Sequence, residues 1–250
     1  MSLLTDRFSA AWSEEAESAD PALLPSALAR ACARVLPFDA AGLGLVGGPG
    51  ARVPLGASDD DAAEAERLQF THGDGPCSLA LREGRPVVVT EEKWLERWPV
   101  LAREHFARTP FRGGLSLALR TGPARIGVLD LYSRTSRPLD GATIIDGQAI
   151  AAVVTSVLHR TLGSPSPAPG GAVDEDLQEP VRTSSPGARR RRQVWLAVGM
   201  AHLVLGLPGE EALAVLRAHA YAGGRTLDDL ADDVVHGRLD LERLRSEELR

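Results

Sequence analysis

Apolar residues recur along this chain in two alternating rhythms. Between Ser26 and Leu36, apolar side chains fall at 28, 31, 32, 35 and 36, the three-and-four spacing of one helix face. AAGLGLVG (40–47) is then an unbroken run of small and apolar residues, a strand ended by Gly47-Gly48-Pro49-Gly50. ARVPLGAS (51–58) is a second strand, and the pair predicts a hairpin. DDDAAEAERLQF (59–70) predicts a helix, its acids in the first turn where the helix dipole favours them. RPVVVTE (85–91) is a short buried strand, and WPVLAREHF (98–106) a helix opened by proline. LSLALR (115–120) alternates and pairs with RIGVLDLY (125–132) across a Gly-Pro-Ala turn. Leu139 to Leu162 closes this block as a long helix. The order predicts an α+β domain, an antiparallel sheet of five or six strands with helices against it.

The pattern then breaks. SPSPAPGGAVDEDLQEPVRTSSPGARR (164–190) is too rich in Pro, Gly, Ser and charge to bury an apolar face, so a flexible linker is placed at 163–188. VWLAVGMAHLVLGL (194–207) follows the arginines at 189–192 almost without a polar side chain. Fourteen residues at about 1.5 Å each reach roughly 21 Å, short of a bilayer core of about 30 Å, so no membrane span is expected. A helix apolar on nearly every face is expected to be buried instead. Gly206, Pro208 and Gly209 end it, and Glu210-Glu211 start a second helix carrying Leu213 and Leu216. Thr226-Leu-Asp-Asp229 reads as a capping box, in which hydroxyl and carboxylate satisfy free amides at the start of a third helix. Leu227, Leu230, Ala231, Val234 and Val235 form that helix's apolar face, and Gly237 stops it. An all-α three-helix bundle is predicted, with the apolar helix as its spine.

Four regions and a tail result: 1–24, an extension or helix; 25–162, the α+β domain; 163–188, the linker; 189–242, the bundle; and 243–250. The net charge of −6 excludes a chain that binds polyanions as a whole, leaving only a local patch. Two cysteines, Cys32 and Cys77, make no disulfide framework, no secretory leader is read, and a cytoplasmic location is expected. No nucleophile stands beside a base at a recognisable spacing, and no phosphate loop or metal triad appears. His72 with Cys77 falls short of a zinc set. Neither catalysis nor a cofactor is expected.

LRAHAYAGGRTLDDLADDVVHGRL, with AVGM and LG upstream, resembles the ANTAR domain over about residues 193–240. The matching residues include Ala197, Gly199-Met200, Leu205-Gly206, Glu211-Ala212, Leu216-Arg217, Ala220, Leu227, Leu230-Ala231 and Val234-Val235. The first block is similar to the GAF domain in LPFDAAGLGL, VPLGASDD, LQFTHGDGPCSLALREGRPVVV and IGVLDLYS, over about residues 25–160. The resemblance implies a GAF-like sensor followed by an RNA-binding ANTAR-like module. Such a protein holds paired stem-loops in a nascent leader transcript and prevents terminator formation. Arg189, Arg190, Arg191, Arg192, Arg217, His219, Tyr221 and Arg225 are then the candidate RNA contacts, since RNA loops are held by stacking, base hydrogen bonds and cations on phosphate. Phe70, Cys77, Trp94, Trp98 and Phe111 are candidates for a sensor pocket taking a small-molecule or redox signal, or else they pack. GDGPCSLAL passes from a glycine turn into a helix start, where free amides could hold an anion and lower the Cys77 pKa. Cys77 as a small buried turn residue is the plainer reading.

The module departs from its family. Leu196 and Val198, and likewise His202 and Val204, stand where polar residues are usual. Over 193–236 two arginines oppose six carboxylates, a net of −4 with histidines neutral, and phosphate binding depends on positive charge. Either the arginine run leads binding, or the protein is a diverged protein-interaction regulator that no longer binds RNA. Arginine runs also occur as solvated linker ends, and Tyr221 as packing. A homodimer is expected, because the apolar helix needs more cover than two short helices provide.

Overall fold

The computed structural model describes residues 3–17, 23–47, 51–162 and 186–242. The predicted linker, up to residue 185, and the tail at 243–250 lie outside the described residues.

Five strands form one antiparallel sheet in the order β2-β1-β5-β4-β3, with β1 Ala40–Gly47, β2 Ala51–Ala57, β3 Val87–Val89, β4 Gly113–Thr121 and β5 Ala124–Ser133. Both predicted hairpins form, β1 with β2 and β4 with β5. Gly122, at φ +58°, supplies the left-handed residue that the tight β4–β5 turn requires.

Strand alternation divides the side chains between two faces. Leu43, Leu45, Leu115, Leu117, Leu119, Leu129 and Leu131 point to one face, packed with helices α1 (Leu3–Glu17), α2 (Leu24–Val35) and α7 (Gly141–Leu162). The Gly141–Arg160 part of α7 is long and apolar enough to cross a membrane, with mean hydropathy 1.5. Here Ile150, Val154 and Leu158 are buried in the sheet's core. The helix α1, left open by the sequence pattern, inserts Phe8 into the same core and pairs Glu15 with Arg30 at 2.6 Å.

The other face is covered by α3 (Asp60–His72), α4 (Pro76–Glu83), α5 (Glu91–Arg97) and α6 (Pro99–Arg108). Asp59 caps α3 by accepting from the Ala62 amide at 2.8 Å, and Gly73, at φ +74°, ends it in the left-handed conformation.

The C-terminal bundle comprises α8 (Pro186–Leu205), α9 (Gly209–Ala222) and α10 (Leu227–Val235). α8 begins inside the span predicted as linker, so the arginine run is helical. Proline suits its first turn, where no amide partner is needed. Gly206, at φ +70°, and Pro208 turn the chain through 106° into α9. Val194, Ala197, Val198 and Ala201 pack with Leu213, Leu216, Leu227, Leu230 and Val234 in one cluster. The expectation of burial on nearly every face of α8 is corrected: Leu196, Met200, Leu203 and Val204 are 52, 38, 80 and 41% exposed. Two short partner helices cover only one side of a third. At α10, the Thr226 hydroxyl accepts from the Asp229 amide at 3.3 Å, as the capping box requires. The Asp229 carboxylate accepts from that hydroxyl at 2.7 Å instead of reaching back to an amide.

Candidate functional site

Two arrangements stand out, one inside the sheet domain and one where the bundle meets it. The first grows from small side chains. Ser116, Asp130 and Gly42 lie in one cross-strand row of β4, β5 and β1, facing α3. A Cβ on Gly42 would collide with the Glu66 carboxylate, and one on Gly44 would come within 2.7 Å of Arg52 Nη1. The glycines of the AAGLGLVG strand thus make room for two buried charged side chains.

Arg52 from β2 pairs through Nη1 with Glu66 of α3, and its Nη2 donates to the Glu66 carbonyl at 3.1 Å. Its Nη1 also lies 3.7 Å from Asp130 Oδ2. The Tyr132 hydroxyl donates to Glu66 Oε1 at 2.6 Å, and the Ser116 hydroxyl to Asp130 Oδ1 at 2.5 Å. Gln69 donates to the Tyr132 oxygen at 3.0 Å and accepts the Cys77 amide at 3.1 Å. All these side chains are buried. One guanidinium faces two carboxyls in a dry interior, where an uncompensated charge is costly. Burial, then the charge of Glu66, pushes the Asp130 carboxyl well above its ordinary range, towards the neutral form. Burial, then Glu66, likewise raises Tyr132.

Beside this network runs an aromatic column. Trp94 stacks on His105 at 4.5 Å, and Phe111 stacks on Tyr132 at 4.9 Å. Burial, then Arg112, lowers His105 to about 3, so the ring is neutral.

The second arrangement is a latch between the bundle and α3. Phe70 turns away from the sheet domain's interior and joins the bundle's apolar cluster. Arg217 of α9 lays its guanidinium over the Phe70 ring at 5.3 Å, and its Nε donates to the Phe70 carbonyl at 3.2 Å. The Leu227 amide, at the start of α10, donates to the Thr71 hydroxyl at 2.9 Å. Tyr221 meets His72 edge-on at 5.3 Å. Along α3, Glu66 and Gln69 therefore face the buried network while Phe70, Thr71 and His72 face the bundle. Periodicity placed Phe70 in an apolar helix but could not say which of two cores receives it.

A search of solved structures finds GAF domains. The GAF domain of a phosphoenolpyruvate-protein phosphotransferase (ptsP) from Coxiella burnetii matches with TM-score 0.50 and 13% identity, over 63% of this chain and 94% of that one. The sheet-bearing half has the GAF fold. The GAF domain of an Acinetobacter phosphoenolpyruvate-protein phosphotransferase matches with TM-score 0.46 and 14% identity, over 66% of this chain and all of that one. A free methionine-R-sulfoxide reductase from Neisseria meningitidis matches with TM-score 0.44 and 18% identity, over 62% and 87%. No family model and no curated protein matches the chain.

The predicted pocket residues of the GAF-fold half do not line one pocket. Phe70, Cys77, Trp94, Trp98 and Phe111 are all buried, but they divide among three clusters. Only Trp98 borders one of the cavities described, about 240 Å³ beside β3 and α5. Cys77 is the buried turn residue of the plainer reading, and neither sharper role holds. Its amide is taken by Gln69, so the start of α4 offers no open anion cradle there. Burial pushes its thiol up to about 12, outweighing the charge of Arg52 and the Ser78 hydroxyl. Among the described residues, no group of three His, Cys, Asp or Glu side chains could hold a metal.

The predicted RNA contacts are dispersed. Arg190 and Arg192 are exposed on α8. Two positions apart on a helix they point about 200° from each other. Arg190 lines a cleft between bundle and GAF-fold half, and Arg225 lines the same cleft. Arg225 pairs with Asp233 at 2.6 Å and donates to the Asp229 carbonyl at 3.0 Å. Asp228, Asp229, Asp232 and Glu64 share that cleft, so it is not a basic patch. The side chains of Arg189 and Arg191 lie outside the described residues. Arg217 is engaged with Phe70, His219 is half-buried, and Tyr221 is 47% exposed at the latch.

The buried network was missed by sequence reasoning. Its signal was present: alternate glycines in β1, and a lone aspartate in the apolar alternation GVLDLY.

Proposed function

We propose that this chain is a signal-responsive regulator in which a GAF-fold sensor controls an RNA-binding three-helix bundle. The bundle holds paired stem-loops of a leader transcript so that the terminator hairpin cannot form. The observation that carries this reading is the latch: α3 has one side in the sensor's buried network and the other in the bundle's core. A signal that shifts α3 acts on both. Docking engages Arg217, so the docked state withholds that candidate RNA contact and release exposes it. The resemblance of residues 193–240 to ANTAR modules supplies the RNA class, and the arginine run at the start of α8 supplies cations for phosphate. A cavity of about 300 Å³ touches both halves through Pro54, Glu66, Arg67, Arg190 and Asp228. A small molecule there would act on the latch directly. The sealed, unreactive position of Cys77 favours such a ligand over a thiol switch.

The test measures binding of a two-stem-loop RNA against salt. Replacing all four of Arg189–Arg192 by alanine should weaken binding and flatten the slope of log affinity against log salt by up to about four. Thr71→Val removes the acceptor of the Leu227 amide without touching the bundle and should tighten RNA binding. An intact protein that shows no preference for stem-loops over random RNA at moderate salt overturns the reading.

A second reading, a protein-interaction regulator without RNA binding, is favoured by the bundle's acidic balance and by the apolar residues that α8 leaves exposed. That same null result in the RNA assay would select it.

A further inference from the structure

The cavity between the halves borders an unanswered carboxylate. Asp228, the second residue of α10, is 7% exposed. Its Oδ2 has no hydrogen-bond partner among the described residues. Buried polar atoms are as a rule paired, because leaving one without a donor is costly. The helix start favours negative charge here, but no amide reaches that oxygen. The cap of α10 does not use it either, being made by Thr226 and Asp229. The latch fixes its position, since the amide one residue earlier, that of Leu227, is the one held by Thr71. Asp228 and Arg190 form the bundle's side of the cavity of about 300 Å³, while Leu23, Pro54 and Ala63 give the sensor's side an apolar wall. Gly56 lets that wall close: a Cβ there would lie 2.5 Å from the Ser26 amide at the start of α2. Two arginines of the lining are turned to other acids, Arg30 to Glu15 at 2.6 Å and Arg67 to Glu64 at 2.8 Å. Leu23 is 38% exposed, an apolar surface that an occupant would cover.

We propose that this cavity is a regulatory site for a small organic amine, whose ammonium donates to Asp228 while its apolar skeleton covers Leu23 and Pro54. A buried carboxylate without a donor is best answered by a charged one. A metal ion is a poorer match, since no group of three His, Cys, Asp or Glu among the described residues could hold it. The volume is at the lower end for ligand pockets, so the molecule is small. Both halves wall the site, so it is complete only while the bundle is docked, and its assignment rests on the regulator reading above. A ligand that binds only the docked state draws the protein towards it. The amine therefore keeps Arg217 engaged and weakens RNA binding, and RNA weakens amine binding by the same factor.

Three probes with one branched skeleton test this: isoamylamine carries an ammonium, leucine both charges, and isocaproate a carboxylate alone. Titrated into the full chain without RNA, the first two should bind with Kd on the order of 0.1 mM, and isocaproate should not bind. Leucine binding more tightly than isoamylamine identifies an amino acid whose carboxylate meets Arg190, and the reverse order identifies a plain amine. At a ligand concentration about ten times Kd, hydrogen exchange at the Leu227 amide should slow about 10-fold. Asp228→Asn should weaken binding at least about 10-fold. Ala63→Leu, which fills the cavity from the sensor's side, should abolish it. Unchanged circular dichroism checks that both variants fold, and the unmutated chain decides the matter if either does not. The proposal is overturned if neither ammonium compound binds, if isocaproate binds equally well, if a folded variant binds as before, or if binding leaves Leu227 exchange unchanged. Protection of Leu227 without loss of stem-loop affinity supports the site and counts against the RNA reading instead. Stem-loop binding by a chain that takes no amine leaves the RNA reading standing and removes the site.

Discussion

Arg217→Ala should undock the bundle without unfolding either half. The side chain makes one charge-assisted hydrogen bond to the Phe70 carbonyl and one cation–π contact with its ring, at 3.2 and 5.3 Å. A hydrogen bond from a charged group contributes about 1.5–3 kcal/mol and a partly exposed cation–π contact about 0.5–1 kcal/mol. Arg217 is half-buried, so the low end of each applies, and about 2 kcal/mol is a fair sum. That is roughly a 30-fold shift from docked to undocked. The Leu227 amide is a direct reporter. As one of the first amides of α10 it has no acceptor within its own helix, and its partner is Thr71 Oγ1 across the latch. In Arg217→Ala its hydrogen exchange should accelerate about 30-fold, by the same shift, while the amides of β1 and β5 keep their protection. Unchanged exchange at Leu227 would refute the latch. Equal acceleration throughout the sheet would show that Arg217 supports the fold as a whole.

Five further outcomes are expected. Gly42→Ala drives a methyl into the Glu66 carboxylate and should destabilise the sheet domain by about 1–3 kcal/mol, read from denaturant unfolding. Gly199→Ala, with open space around it, should not destabilise the isolated chain. His105 is held near 3 when folded, so the unfolded state takes up a proton first as pH falls through 6.5. The stability tied to the neutral ring is therefore present above about 6.5 and is lost on acidification, about 2 kcal/mol by pH 5, and His105→Phe should remove that part of the slope. Cys77 keeps its proton up to about 12 whereas an unfolded thiol loses it near 9, so its contribution to stability is lost as pH rises between them. At neutral pH an aromatic disulfide reagent should label neither Cys77 nor Cys32 until the protein unfolds.

The local pattern of this sequence was legible because each signal had one physical cause. Asp59 before an apolar period caps α3, Gly122 turns β4 into β5, and Gly206 with Pro208 bends α8 into α9. What periodicity could not reveal was which neighbour receives each face. Glu66 carries no mark in the sequence that sets it apart from the helix's other acids, yet it is buried, because glycines distant in sequence vacate its place. Phe70 reads as core of its own domain and lies in the bundle's. Arg217 reads as a surface cation, while its partner is a carbonyl 147 residues away. The apolar run of α8 identified a helix, but its amount of cover depended on the number and length of its neighbours.

With Phe70, Thr71 and His72 within the meeting ground, the length of the stretch between the halves affects how often they encounter each other. A chain severed between 163 and 185 should reassemble from its two fragments in solution. Lengthening that stretch should alter the effective concentration of the bundle at α3, and so the threshold of the response, while the docked geometry stays as it is.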